Sequence, residues 1–150
     1  MLYFAYGSNL NWHQMNEERC SGAKFIQSYT LKGYKLIFSN RNKKNKFGHA
    51  NIEKNNRFNV PGAIWNLSKK HENILDEYEC VNYNPPYYQK EYLTWNGKKV
   101  MVYVQKIYTK KKPSSSYLHT IIQGYKDCSL DLNYLKKRIY NYNINYKITW

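Results

Sequence analysis

The chain predicts an α+β fold, with strands through the first two-thirds and helices concentrated at the end. Three observations carry this. Short apolar or alternating runs, bounded by Gly, Pro and Asn, recur between Leu2 and Tyr108. Helical spacing is strongest after Pro113. The elements do not alternate as strand, helix, strand, so a parallel doubly wound sheet is excluded.

Leu2 to Tyr6 reads as a short, buried, aromatic strand ended by Gly7. Asn9 or Asn11 caps a short helix over Trp12 to Arg19, with Glu17 and Glu18 late in it for the helix dipole. Lys24 to Tyr29 and Tyr34 to Ser39 read as two strands joined around Lys32-Gly33. Arg41 to Phe47 is basic, rich in asparagine and without periodicity, hence an exposed loop. A strand near Ala50 to Glu53 follows, then another over Val60 to Leu67, with Pro61 near its start where a missing N–H is tolerated.

Ser68 resembles an N-cap for a helix that runs toward Glu79, with Ile74 and Leu75 on its apolar side. Asn84-Pro85-Pro86 breaks the chain. Tyr87 to Trp95 and Lys98 to Tyr108 form a hairpin around Asn96-Gly97, a two-residue turn signal. Ser114 to Ser116 precede a helix over about Tyr117 to Lys126. Asp131 caps a last helix whose Leu132, Leu135, Ile139 and Tyr142 share a face. The tail from Asn143 to Trp150 carries no clear assignment.

The length of 150 residues fits a single domain, 1–150. With 42% apolar and 23% charged residues, the chain has enough apolar material for a packed core. No apolar run approaches the ~18–20 residues of a membrane span. The N-terminus reaches Gly7 and Asn9 too early for a signal peptide and lacks a basic start. Cys20, Cys80 and Cys128 are odd in number and widely spaced. A reduced cytoplasmic protein with three free thiols is expected, with no metal site. His13, His49, His71 and His119 are scattered and read as surface histidines.

The net charge is +14. It is carried almost wholly by lysine, since Arg19, Arg41, Arg57 and Arg138 are the only arginines. Phosphate and base recognition favour arginine, so the surplus is read first as compositional and second as a polyanion site. No specific nucleic-acid partner and no membrane partner is expected.

Two segments carry chemistry. Tyr6-Gly7-Ser8-Asn9-Leu10 sits where a buried strand turns into a helix. Glycine permits a tight turn there, and successive N–H groups form an anion-binding nest. The plain alternative is a strand, a turn and an asparagine cap. Leu75-Asp76-Glu77-Tyr78-Glu79-Cys80-Val81 ends a helix in a carboxylate. Such an end is ordinarily solvated. Glu79 differs by its position between a helix and a tyrosine-rich apolar region, and the electronegative helix end raises its pKa.

Together these segments resemble the γ-glutamylcyclotransferase family. Leu2 to Leu10 resembles its opening signature, and Pro61-Gly62-Ala63-Ile64-Trp65-Asn66-Leu67 its strand before the catalytic helix. Leu75-Asp76-Glu77-Tyr78-Glu79 resembles its Leu-Asp-x-x-Glu segment, whose last glutamate is the catalytic acid/base. Tyr88-Gln89-Lys90 resembles a following Tyr-x-Arg strand, and Pro113 to Tyr117 with Ile121 to Tyr125 a tyrosine-bearing helix. The matches keep the family's order from about residue 2 to 138. Cys80 stands where the family usually has glycine, Lys90 where it has arginine, and Asn82 to Pro86 is an unfamiliar loop.

The resemblance implies a small mixed, curved sheet or barrel with peripheral helices and no cofactor. It implies Glu79 as the catalytic group, with Tyr6, Gly7, Ser8, Asn9, Leu10, Tyr88 and Tyr117 binding a small γ-glutamyl substrate. The side chain of Tyr6 is equally a core residue, and Tyr117 equally a helix-face core tyrosine. Cys80 adjoins the site without a histidine placed by the sequence to activate it. Three functional readings stay open. One is a γ-glutamylcyclotransferase. The second acts on γ-glutamyl amines or a γ-glutamylated biosynthetic intermediate. The third is a silent binding module of the same fold. A homodimer is compatible with each.

Overall fold

A computed structural model describes residues 1–150. Six strands form one curled, mixed sheet in the order β4-β5-β1-β3-β2-β6. They are β1 (Leu2–Ala5), β2 (Lys24–Asn40), β3 (His49–Asn66), β4 (Gln89–Trp95), β5 (Lys98–Val104) and β6 (Thr109–Lys110). Only the β1–β5 pair is parallel. The three helices are α1 (Lys69–Tyr78), α2 (Ser115–Asp127) and α3 (Leu132–Tyr140). The expected α+β class and curved mixed sheet are therefore both present.

β2 and β3 correct the sequence reading. Lys24 to Tyr29 and Tyr34 to Ser39 belong to one strand of 17 residues, not two joined at Lys32-Gly33. Ala50 to Glu53 and Val60 to Leu67 likewise merge into one strand, of 18 residues. Gly33 has φ +80°, the left-handed conformation that glycine accepts readily. Here it serves a bulge: the register passes from Lys32↔Asn59 to Tyr34↔Lys54 without a chain reversal. At ~3.3 Å per residue, straight strands of this length would run about 55 Å, longer than the core they cover. The bulges bend them around it. Pro61 lies within β3, past the point where β1 ends at Ala5 opposite Ala63, so one side of β3 has no ladder to lose there.

Other local signals act as read. Asn96 and Gly97 both have positive φ (48° and 71°), which closes the β4–β5 hairpin as a type I′ turn. Ser68 caps α1 by accepting from the N–H of His71, whose ring in turn accepts from the N–H of Ser68. His71 is thus part of a cap, and its Nε2 also meets the Ser21 carbonyl at 2.9 Å. Asp131 caps α3, which buries Leu135 and Ile139. The core is one cluster containing Phe4, Phe38, Trp65, Leu75 and Tyr125. Burial pushes the Cys20 and Cys128 thiols up to about 11. In the tail, Tyr142, Ile144, Tyr146, Ile148 and Trp150 pack against the core on alternate residues.

Candidate active site

β1 ends in the core and delivers the chain to Gly7. Ser8–Leu10 then form one 3₁₀ turn, followed by a π-helical segment, Gln14–Arg19, in place of an ordinary helix. Asn11, one of the two expected caps, accepts from the N–H of Gln14 through its side chain. Within the turn the N–H of Leu10 bonds to the Gly7 carbonyl. The N–H groups of Gly7, Ser8 and Asn9 open the turn and have no partner inside it. Gly7 is required by close approach: a Cβ there would lie 2.9 Å from Ala50 Cβ and 3.4 Å from the Tyr117 hydroxyl.

On the opposite wall, α1 ends at Glu79. The N–H of Val81 bonds to the Asp76 carbonyl and that of Cys80 to the Glu77 carbonyl, with Cys80 at φ +50°. This is a Schellman cap, whose left-handed position usually holds glycine. The loop after it folds back: Tyr87 and Tyr88 donate their N–H groups to the Cys80 and Glu79 carbonyls. The end of α1 is also anchored from behind. Asp76 accepts from the Tyr103 hydroxyl at 2.7 Å and pairs with Lys90 at 2.7 Å, and Lys90 pairs with Glu72 at 2.7 Å. Burial pulls the Lys90 pKa down, but its bonds to Asp76 and Glu72 outweigh this and leave it raised. Lys90 therefore positions α1 and does not line the pocket.

The two walls enclose a cavity of about 300 Å³. That is the lower end of the range for small-molecule sites. Tyr6, Gly7, Ser8, Asn9, Glu79, Tyr88 and Tyr117 all line it. Leu10 does not: it is fully buried, and Gly124 packs directly on it. Its contribution is to close the turn.

The Glu79 carboxylate is half-buried and has no hydrogen-bond partner within the protein. Desolvation raises its pKa to about 7, against a smaller downward pull from Arg19. Around it stand phenols that burial keeps neutral, those of Tyr3, Tyr6, Tyr87, Tyr88, Tyr103 and Tyr117. Their hydroxyls divide into two kinds. Tyr6 donates to the Tyr103 carbonyl, and Tyr88 donates to the Ala50 carbonyl. Tyr117 accepts from the Ala50 N–H at 2.9 Å, and Tyr3 accepts from Asn9 at 3.0 Å, so each retains its own proton to donate.

Sequence reasoning missed Arg19, Gln14 and His49 among the lining residues. Arg19 donates to Asn9 Oδ1 at 2.8 Å, and its guanidinium lies 4.2 Å above the Tyr78 ring. The scarcity of arginine was the one signal that singled it out. Gln14 ties Ser8 Oγ and Asn9 Oδ1 together at 2.9 and 3.2 Å. His49 is exposed, as expected of a surface histidine, yet it bonds Tyr87 at 2.8 Å, and desolvation of its ring lowers its pKa.

The family model for "Gamma-glutamyl cyclotransferase, AIG2-like" matches residues 3–122, a span that holds both walls of the pocket. The chain belongs to the gamma-glutamyl cyclotransferase family. Membership implies an enzyme of the cyclotransferase type. Gamma-glutamylcyclotransferase of Homo sapiens is 32% identical over 143 residues, covering 91% of this chain and 76% of that protein. The Bos taurus protein of the same name is 32% identical over 145 residues, with the same coverages. A solved structure titled gamma-glutamyl cyclotransferase superposes with a TM-score of 0.80 at 28% identity, covering 99% of this chain and 93% of that one. YkqA of Bacillus subtilis shares the fold at a TM-score of 0.72 and 15% identity, covering 97% of this chain and 56% of its own.

Proposed function

We propose that this cyclotransferase closes a γ-glutamyl group into 5-oxoproline and releases a free amine or amino acid, with Glu79 moving both protons. The observation that carries the reading is the Glu79 carboxylate, which lacks a protein partner and titrates near neutrality, in the same cavity as a turn with free N–H groups. The named relatives support the reaction class.

The reaction is intramolecular, so nucleophile and electrophile arrive on one chain. Ionised Glu79 takes a proton from the α-ammonium. The freed amine attacks the γ-carbonyl carbon and forms the ring carbon–nitrogen bond. As the tetrahedral centre collapses, the bond to the departing nitrogen breaks and Glu79 returns the proton to it; the carboxylate then takes the extra proton of the ring nitrogen and passes it to the released amine, which leaves as an ammonium. A carboxyl near pH 7 is matched to both steps. The N–H groups of Gly7, Ser8 and Asn9 hold an anionic part of the glutamyl group, and Tyr117 donates its remaining proton to the substrate. Arg19 adds a fixed positive charge and limits how far Glu79 rises.

No helix is long and apolar enough to cross a membrane. We place the reaction on small cytoplasmic γ-glutamyl compounds. The test is release of 5-oxoproline from a panel of γ-glutamyl amino acids, γ-glutamyl amines and glutathione. Turnover of amino-acid conjugates supports the leading reading. Turnover of amines alone moves the assignment to amine substrates, and no turnover of any member rejects the reaction.

A further inference from the structure

A second cavity, of about 530 Å³, shares no lining residue with the first. Its walls come from β2, the β2–β3 loop, the β6 region and the end of α3. Six of its eleven lining residues are cations, namely Lys35, Lys46, Lys110, Lys111, Lys112 and Arg138, and none is acidic. Lys110 alone has a carboxylate partner, Glu53 at 3.3 Å. Lys112 is held by the Asn143 carbonyl and Asn145 Oδ1. Lys35 and Lys46 meet only the faces of Phe58 and Phe47.

Arg138 is the most informative member. Its guanidinium stacks 4.5 Å from the Phe58 centroid and 5.5 Å from that of Tyr134. Its Nε is buried without a hydrogen-bond partner, and no carboxylate pairs with it. A charged fork held in place by two rings and left without an acceptor is pre-organised for an external one. Complementing the α3 dipole explains a cation in the last helical turn. It does not explain lysines converging on the same hollow from β2, the loop and β6. Like charges around a concave, low-dielectric wall repel one another and focus a positive field into the space between.

We propose that this cavity binds a short oligophosphate chain, either inorganic or carried by a nucleotide. Phosphate supplies the charge density that six cations in so small a space require, with several acceptor oxygens per group. Arginine takes two of those oxygens at once, lysines take the others as point charges, and the amides of Asn141 and Asn143 add neutral donors. The one aromatic ring lining the cavity, Tyr142, is tied through its hydroxyl to Phe38, and the hollow is not an extended stripe, so a nucleic-acid backbone fits it less well.

Calorimetric titration with inorganic tripolyphosphate at about 150 mM salt tests this. Saturable binding well below about 1 mM is expected. Arg138→Gln, and separately the pair Lys46→Gln/Lys111→Gln, each weaken it by about tenfold or more. Lys98→Gln/Lys99→Gln removes the same charge from the β4–β5 hairpin and leaves the affinity unchanged. The Lys46/Lys111 pair keeps the test decisive if Arg138→Gln misfolds. ATP binding as well as tripolyphosphate identifies the phosphate chain as the ligand, and tighter ATP binding identifies a nucleotide. No binding below about 1 mM, or equal loss in the hairpin control, overturns the proposal. Duplex RNA binding tighter than tripolyphosphate also overturns it.

Discussion

Replacing Glu79 by glutamine removes a group that the fold holds against its ordinary ionisation. Folding raises its pKa from 4.5 to about 7, chiefly by desolvation. Between these values the folded protein binds a proton that the unfolded chain has released. Stability from this group is therefore complete below about pH 4.5 and is lost as pH rises through about 7. A shift of that size corresponds to about 3 kcal/mol, and partial solvent access reduces it to about 1–2 kcal/mol. Glu79→Gln does not titrate. It should match the parent near pH 4.5 and exceed it by about 1–2 kcal/mol at pH 8, a rise of about 4 °C in Tm. Thermal denaturation of both proteins across that pH range reads the difference directly. A constant gap at all pH values, or a less stable variant at pH 8, would refute the claim that Glu79 is desolvated in the fold. A stabilising loss of the catalytic group is the trade-off expected where function sets the environment.

Three other perturbations follow from the same geometry. Arg19→Gln removes the charge that lowers Glu79, so the acid limb of the pH–rate profile should move to higher pH; an unmoved limb separates Arg19 from the reacting carboxylate. Gly7→Ala brings a methyl to 2.9 Å from Ala50 Cβ and should cost about 10–100-fold in kcat/KM while the protein still folds; retained activity by steady-state kinetics contradicts the assigned turn. Cys80 occupies a left-handed cap at φ +50°, so Cys80→Gly should gain about 0.5–1 kcal/mol and Cys80→Val lose at least that much in chemical denaturation; the reverse order contradicts the cap.

Much of this was legible in local sequence, where one residue dictates one conformation. Asn96-Gly97 closes its hairpin, Ser68 and Asp131 cap their helices, and Gly7 ends β1 where the pocket begins. The β2 strand was not legible, because a glycine at φ +80° suits a turn and a bulge alike. Only pairing with β3, up to 42 residues away between Lys24 and Asn66, selects the bulge. The pocket was half legible. Its turn and its glutamate carry sequence signals, whereas Tyr3, His49 and Tyr103 reach it only because strand order brings β1, β3 and β5 together, and Arg19 reaches it from the end of the π-helical segment. Lys90, which stands where the family usually has arginine, is a tether between β4 and two acids of α1. The tail carries a period-2 pattern, from Tyr142 to Trp150, that its intervening polar residues mask in the sequence.

The central claim is that one carboxylate, Glu79, moves both protons of the cyclisation. Its most direct test is the rate of 5-oxoproline release by the parent, Glu79→Gln and Glu77→Gln on the best γ-glutamyl substrate of the panel. Glu77 is exposed, lies two residues before Glu79 on another side of α1 and does not line the cavity. The account predicts a loss of about 10²–10⁴-fold in kcat for Glu79→Gln, a smaller change in KM, and near-parental turnover for Glu77→Gln. Full activity in Glu79→Gln would contradict it, whatever the second variant does.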